Sequence, residues 1–477
     1  MIDLRSKKAL KSGIWYTISN FFSKGFVFLT TPIFTRIMSV SAFGEYSSFI
    51  TWQSLLVLML PLALYSTVNR ARLDFPGRMD EYLSSITMAG SVFTLMVYLF
   101  VLIFRDSFQD FFNMSLFYIN VMFIFAAFEP ALANFQARNQ VEYKYKLVTA
   151  ISLSSCVISV VLSIIGSYTF KDQMLGRVLG YDGSLLIFYI TVYIYILKNG
   201  HFRFNKDFVL YALKLSVPLV PHLVSMYILG QCDKLVIQRL VGNEAVAFYN
   251  IGYTCALVIS MLSNSVNGAM SPWLFEQLDQ KKYDRIKKTN RVYVAAFVYI
   301  AVGLLLISPE IIWIMGGTQY RDATTVLMPV MAGCCCNFIY TLYVNVENYL
   351  KKPGIISIGT TLVAILNTWL NFVFVKLYGY KAAAYTTLFS YLVLLLYHFT
   401  MVKKYKYDHI YDNGLNIACA IGISVFGLLV SAIYQSVARY ILLAAYLVMT
   451  TILFFMYRSK IKEIMGIVIG KRKEHCR

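Results

Sequence analysis

The sequence predicts an all-α, polytopic membrane protein of about fourteen transmembrane helices, built as two parallel six-helix lobes with two further helices at the C-terminus. Three observations lead there. Apolar residues fill 58% of the 477 positions, charged residues only 14%, and the mean hydropathy is +0.62. Soluble domains carry about 25% charged residues. The apolar residues come in blocks of about twenty, the length a helix needs to cross a bilayer core. Finally, two short stretches echo each other at a fixed offset.

The N-terminal "MIDLRSKKALKSG" is basic. The apolar segment behind it is too long for a signal peptide and has no small-residue cleavage site, so the stretch reads as a cytoplasmic head. The predicted spans then run 12–36, 42–66, 83–104, 115–137, 146–168, 180–197 and 209–238. The second set is 245–270, 291–313, 324–350, 354–377, 381–402, 414–434 and 438–457. An even number puts both termini on one side. Lys and Arg favour the loops of that side about threefold, which makes it the cytoplasmic side. Its strongest anchor is "QKKYDRIKKTNR" at 280–291. Lys234, Arg36 and Arg239 are counted with the opposite, outer loops.

The net charge of +19 sits between apolar blocks, as juxtamembrane charge does, and points away from nucleic acid. The outer loops are short, roughly five to twelve residues, leaving no room for an extracytoplasmic catalytic domain. "GIVIGKRK" near the C-terminus lacks the Walker spacing and its Ser/Thr, so no ATP hydrolysis is expected on this chain. No catalytic or metal-ligating constellation is read. The eight cysteines are scattered through apolar segments, and "CCC" at 334–336 reads as small apolar filler.

The echo lies in "TRIMSVSAFGEYSSFI" (35–50) and "QRLVGNEAVAFYNIGY" (238–253). Arg36 and Arg239 close an apolar run. A polar break follows, then Tyr46 and Tyr249 ten residues after each Arg. The offset is 203 residues. It returns in "LGRVLG" (175–180) and "YGYKAA" (378–383), with Gly176 opposite Gly379. Spans 1–6 and 7–12 therefore read as parallel repeats around a central path. The expected units are 1–198, 199–403 and an addition at 404–477.

A charge at mid-bilayer costs about 2.5–3.5 kcal/mol, so such residues usually face a cavity. Lys24 lies at the centre of the first span. Asn20, Lys24, Thr31 and Thr35 share one helical face. Two more polar stripes run along span 8 (Asn250, Tyr253, Ser260, Asn264, Asn267, Ser271) and span 10 (Asn337, Thr341, Asn345, Asn348). Such stripes also serve as helix–helix glue. Arg36, Arg70, Arg138 and Arg239 end spans, where snorkelling anchors are common. The carboxylates are fewer: Glu129 before Pro130, Asp233, and Glu347. They are candidates for H+ or Na+ coupling, or for neutralising the cations. "SVPLVPH" (216–222) marks a bend in span 7. Cations outnumber acids near the expected cavity. That balance suits an anionic substrate, since Lys and Arg grip phosphate oxygens by charge-assisted hydrogen bonds.

"TPIFTR" followed by "FGEYS", within residues 12–50, and "YSTVNR" after span 2 resemble the polysaccharide transporters. These are the Wzx-type flippases of the multidrug/oligosaccharidyl-lipid/polysaccharide superfamily. The resemblance covers the whole chain. It implies movement of an undecaprenyl-diphosphate-linked oligosaccharide to the outer leaflet of a bacterial plasma membrane, by alternating access and without ATP. It also implies membrane lipids as surroundings, and a polymerase and chain-length proteins of the same pathway as partners. Lys24, Arg36, Arg70 and Arg239 stand where such proteins hold cations. Many O-antigen flippases have twelve spans, so fourteen leaves capsule, exopolysaccharide and lipid II-type substrates open. A cation-coupled drug exporter would want an acid-dominated lumen. A membrane polymerase or transferase would want a large loop.

Overall fold

The computed structural model describes residues 25–26, 28–142 and 144–468. Among these residues the chain folds into helices and turns, with no strand. The first half carries α1 (28–37), α2 (Val40–Met59), α3 (Val68–Asp74), α4 (Met79–Ile103), α5 (Arg105–Phe112), α6 (Leu116–Val141), α7 (Tyr145–Thr169), α8 (Gln173–Val178) and α9 (Ser184–Asn199). The second carries α10 (Lys206–Ser216), α11 (Val220–Gln231), α12 (Asp233–Leu240), α13 (Asn243–Asp279), α14 (Tyr283–Leu306), α15 (Ser308–Gly316), α16 (Thr324–Tyr349), α17 (Pro353–Tyr378) and α18 (Ala382–Lys404). Two more follow, α19 (Asn413–Ile433) and α20 (Val437–Val468).

Twelve of the described helices or continuous helix runs are long and apolar enough to cross a membrane, and the bent pair α2–α3 makes a thirteenth. α1 is the described end of the first predicted span, whose remainder, with Asn20 and Lys24, lies outside the described residues. Spans alternate, so the loops near 75–78, 142–144, 200–205, 280–282, 350–352 and 405–412 share one side. That side carries most of the Lys and Arg and is called the basic face below.

Several boundaries differ from the sequence expectation for local reasons. The span predicted at 42–66 breaks after Met59, and its two parts meet at 44°. Pro61 has no N–H for the ladder, and Leu62 and Ala63 take left-handed φ of 54° and 51°. In span 7 the α-helix is interrupted at its prolines by a 3₁₀ turn at Val217–Leu219. Span 6 starts earlier, at α8, and runs into α9 through a π turn at Leu179–Gly183. Span 9 also starts earlier: α14 begins at Tyr283, inside the basic stretch, and the chain turns before Pro309 into α15.

Within the first half α2, α4, α6 and α9 pack together, with α7 on α9. Within the second, α16 packs on α13 and α18, and α17 on α11 and α18. α16 is the central strut: 83% of its apolar window is buried. That is where Cys334, Cys335 and Cys336 lie, all buried. α19 packs on α14 and α16, and α20 on α14 and α19, so the last two helices flank the second half. α10, early in the second half, packs on α4, where Phe208 stacks into Phe75 and Tyr82.

The halves meet mainly where α2 crosses α13. A Cβ on Gly44 would stand 1.7 Å from the Asn243 carbonyl oxygen and 3.1 Å from the Ala247 nitrogen. Glycine is required because two backbones touch there. Ala247 lies 203 residues after Gly44, the same offset as the echo in the sequence. Gly176 and Gly379 correspond in position but not in cause. Gly176 is helical and abuts Gly166, whereas Gly379 ends α17 with a φ of +75°.

Candidate functional site: a chamber between the two halves

Two adjoining cavities open at mid-depth, the first within the first half and closed on one side by Tyr227 of α11, the second between the halves. The first, about 470 Å³, is walled by Gln53, Tyr65, Glu129, Tyr181, Tyr189 and Tyr227 among apolar neighbours. The second, about 570 Å³, is walled by Thr51, Ser54, Tyr227, Gln231 and Lys234. Ile50, Ser54, Leu58 and Tyr227 border both, so they form one chamber. α2 is its shared wall. The Pro61 break belongs to that wall, with Pro61 and Ala63 lining the first cavity. Tyr227 ties the halves across it, its hydroxyl donating to the Thr51 carbonyl at 2.9 Å. In the first half, Gln53 donates to Asp182 Oδ1 at 3.1 Å, and the π turn before α9 is what brings Asp182 to α2.

On the side opposite the basic face the chamber is closed. The Thr35 hydroxyl donates to the Met315 carbonyl at 2.7 Å, and the Gln319 amide to the Thr35 carbonyl at 2.8 Å. Arg36 Nη2 donates to the Ile314 carbonyl in α15 at 3.1 Å. Arg239 Nη1 donates to the Asp110 carbonyl in α5 at 2.7 Å. These two contacts are one contact made twice. Arg239 follows Arg36 by 203 residues, and Ile314 follows Asp110 by 204. Each half thus grips a short helix of the other. Among the described residues, the hydrogen bonds from α11–α18 to the first half lie on this face or, for Tyr227, at mid-depth; on the basic face the segment leading into α10 and α10 itself bond the first half, through Arg203 to Glu81, Asn205 to Ser85 and Tyr211 to Asp74.

The remaining residues singled out from sequence fall in different places. Arg70 is exposed at the basic face and pairs with Asp74 at 2.9 Å. Arg138 is held there by Asp80 and by Glu142. Neither borders the chamber. Of the Asn stripes, Asn345 donates to Asn267 at 2.6 Å, joining α16 to α13 inside the second half. Asn264 is exposed, and Asn250 and Asn337 are half-buried. None of these five asparagines lines the chamber. Glu129 does line it. Glu347 is fully buried against His398 Nδ1 at 2.8 Å, away from it.

The profile of a family described as "Polysaccharide biosynthesis protein" matches residues 9–278, more than half of the chain. The chain belongs to the polysaccharide biosynthesis protein family. A second profile, MatE, matches residues 218–377. The chain is 23% identical over 369 residues to protein 1 of the Lsg locus of Haemophilus influenzae, covering 75% of this chain and 89% of that protein. It is 20% identical over 176 residues to a protein of Haloferax volcanii named as a probable low-salt glycan biosynthesis flippase, Agl15, covering 36% and 37%. Its fold is similar to lipid II flippase MurJ in an inward closed conformation: TM-score 0.69, 18% identity, 94% of this chain and all of that one. An inward-facing MATE transporter of the MOP superfamily gives 0.57 at 12% identity, over 83% and 99%.

In this polysaccharide biosynthesis protein, a cluster of buried, hydrogen-bonded polar side chains surrounds Asp233, next to the Lys234 that borders the second cavity. Asp233 is 1% exposed. Its Oδ1 accepts from Asn371 at 2.6 Å, and its Oδ2 from Thr387 at 2.7 Å and from Tyr249. Thr386 donates in turn to Asn371. A buried carboxylate needs such a shell, and α13, α17 and α18 supply it around the Asp233 of α12. Lys234 corrects the sequence expectation. It is not an outer-loop charge but is 6% exposed on the chamber wall. A usable signal existed, because Tyr227, Gln231 and Lys234 lie at i, i+4 and i+7. The tyrosine lining had none, since 36 tyrosines are spread along the chain.

Proposed function

We propose that the protein is a flippase for undecaprenyl-diphosphate-linked oligosaccharide, moving it from the leaflet of the basic face to the opposite leaflet by alternating access of its two halves. The observation that carries this reading is the chamber itself. It is polar, aromatic, shared by both halves, and sealed on one face by two symmetry-related arginine contacts. Family membership and the fold shared with MurJ and MATE transporters support it. The basic face is the cytoplasmic side of a bacterial plasma membrane, so both termini are cytoplasmic. The sugars meet the tyrosines, and the lipid tail stays in the bilayer beside α19 and α20. Lys24 meets the diphosphate when the substrate enters. Arg36 and Arg239 act as gate cations, while Arg70 and Arg138 draw anionic headgroups to the basic face. Asp233 carries the coupling H+ or Na+. A polymerase and chain-length proteins receive the product.

A lipid II-type substrate is the second reading, and the whole-chain likeness to MurJ favours it. One experiment separates the two. The gene is deleted in its host and lipid-linked intermediates are weighed by mass spectrometry, with wild-type and Lys24→Ala complementation. Accumulation of a complete undecaprenyl-diphosphate oligosaccharide, cleared by wild type but not by Lys24→Ala, is expected. Accumulated lipid II would favour the second reading, and an unchanged lipid-linked pool would sink both.

A further inference from the structure

Lys234 has donors to spare. Its Nζ donates to Gln231 Oε1 at 3.0 Å and stands 5.4 Å from the Tyr253 ring centroid. An ammonium carries three N–H donors, and the ring face attracts the charge without accepting a directed bond. The adjacent Asp233 does not take up the remainder. Successive helical residues point about 100° apart, and the hydrogen bonds Asp233 accepts come from Asn371, Thr387 and Tyr249, none from Lys234. Among the described residues no ion pair reaches Lys234. The lysine borders a polar cavity between the halves.

We propose that Lys234 is the phosphate-binding cation of the chamber, meeting the diphosphate of the substrate once it has entered. The proposal rests on the flippase reading and assigns each end of the substrate a place. The second cavity adds Gln231 and Ser54 as polar partners for phosphate oxygens. The first cavity has no Lys or Arg among its lining residues and carries the Glu129 carboxylate with four tyrosines. It offers no cation to a phosphate and suits sugar hydroxyls and amines. The diphosphate therefore lies beside the α11–α12 junction, and the glycan extends toward Tyr65, Tyr181 and Tyr189.

The test uses the full-length protein in phosphatidylcholine nanodiscs, with undecaprenyl diphosphate and uncharged undecaprenol as probes and retention read by native mass spectrometry. Wild type prefers the diphosphate by about tenfold or more. Lys234→Met removes the preference, and Lys234→Arg keeps it within about threefold. Gln231→Glu adds no volume and ties the lysine into an ion pair, so it also lowers the preference. It decides the matter if Lys234→Met fails to fold. A preference that survives both Lys234→Met and Gln231→Glu overturns the assignment of Lys234 and leaves the flippase reading intact. A wild type that binds both probes equally overturns the assignment together with that reading.

Discussion

Asp412 uses both of its carboxylate oxygens at the basic face. Oδ2 accepts from Arg291 Nε at 2.6 Å, and Oδ1 caps α19 by accepting from the Leu415 N–H at 3.4 Å. The Arg291 hydrogen bond first, and the backbone bond second, hold this carboxyl below its ordinary range. A carboxyl depressed in the folded state adds stability above its unfolded pKa, and that stability is lost as pH falls through the lower folded value. Thermal unfolding in detergent across the acid range should therefore show a steeper acid loss for wild type than for Arg291→Gln. Equal slopes would mean that the pair contributes nothing. Gly44 gives a sharper residue-scale prediction. Any side chain there collides with the Asn243 backbone, so Gly44→Val should part α2 from α13. On a cysteine-free background, Thr51→Cys would then react faster with an impermeant thiol reagent added from the opposite face. An unchanged rate would contradict the account.

The informative elements are the short ones. α5 and α15 lie across the ends of the spans on the sealed face, and their backbone carbonyls receive Arg239 and Arg36. A charge-assisted hydrogen bond contributes about 1.5–3 kcal/mol; exposure keeps these two near the low end. Removing one should shift the balance between closed and open seal about tenfold, and removing both by more than either alone. Labelling of Thr51→Cys from the opposite face, in Arg36→Ala, Arg239→Ala and the double variant, measures this directly. The arginines were legible in sequence because each closes an apolar run at the same repeat offset. Their partners were not, because a backbone carbonyl leaves no mark on residue identity. The break in α2 was hidden for a related reason: Leu62 and Ala63 adopt left-handed backbone that their side chains disfavour. By contrast, Pro218 and Pro221 announced the turn in span 7.

At the scale of the molecule, hydropathy and charge alternation carried the helical class and the run of spans. The 203-residue echo suggested two repeats, and Gly44 meets Ala247 at that same offset where α2 crosses α13. The chamber was read less well. The sequence pointed to asparagine stripes and span-end arginines, and Asn267 with Asn345 instead bonds helix to helix. Polar residues at helical spacing mark a face but not what that face meets. Glu129 and Asp233 stood out because a carboxylate in an apolar run demands a partner or a cavity. Lys234 was passed over because it lies close to a span end.

The central claim is that lipid-linked oligosaccharide crosses only when the seal between the halves opens. The most direct measurement places Thr35→Cys and Met315→Cys on a cysteine-free background and ties them with a short reversible thiosulfonate crosslinker. Oligosaccharide-linked undecaprenyl diphosphate from the deletion strain is then followed between the leaflets of proteoliposomes. The account predicts that transfer stops when α1 and α15 are tied and returns when the link is reduced. Transfer that continues unchanged with the two halves joined would contradict it.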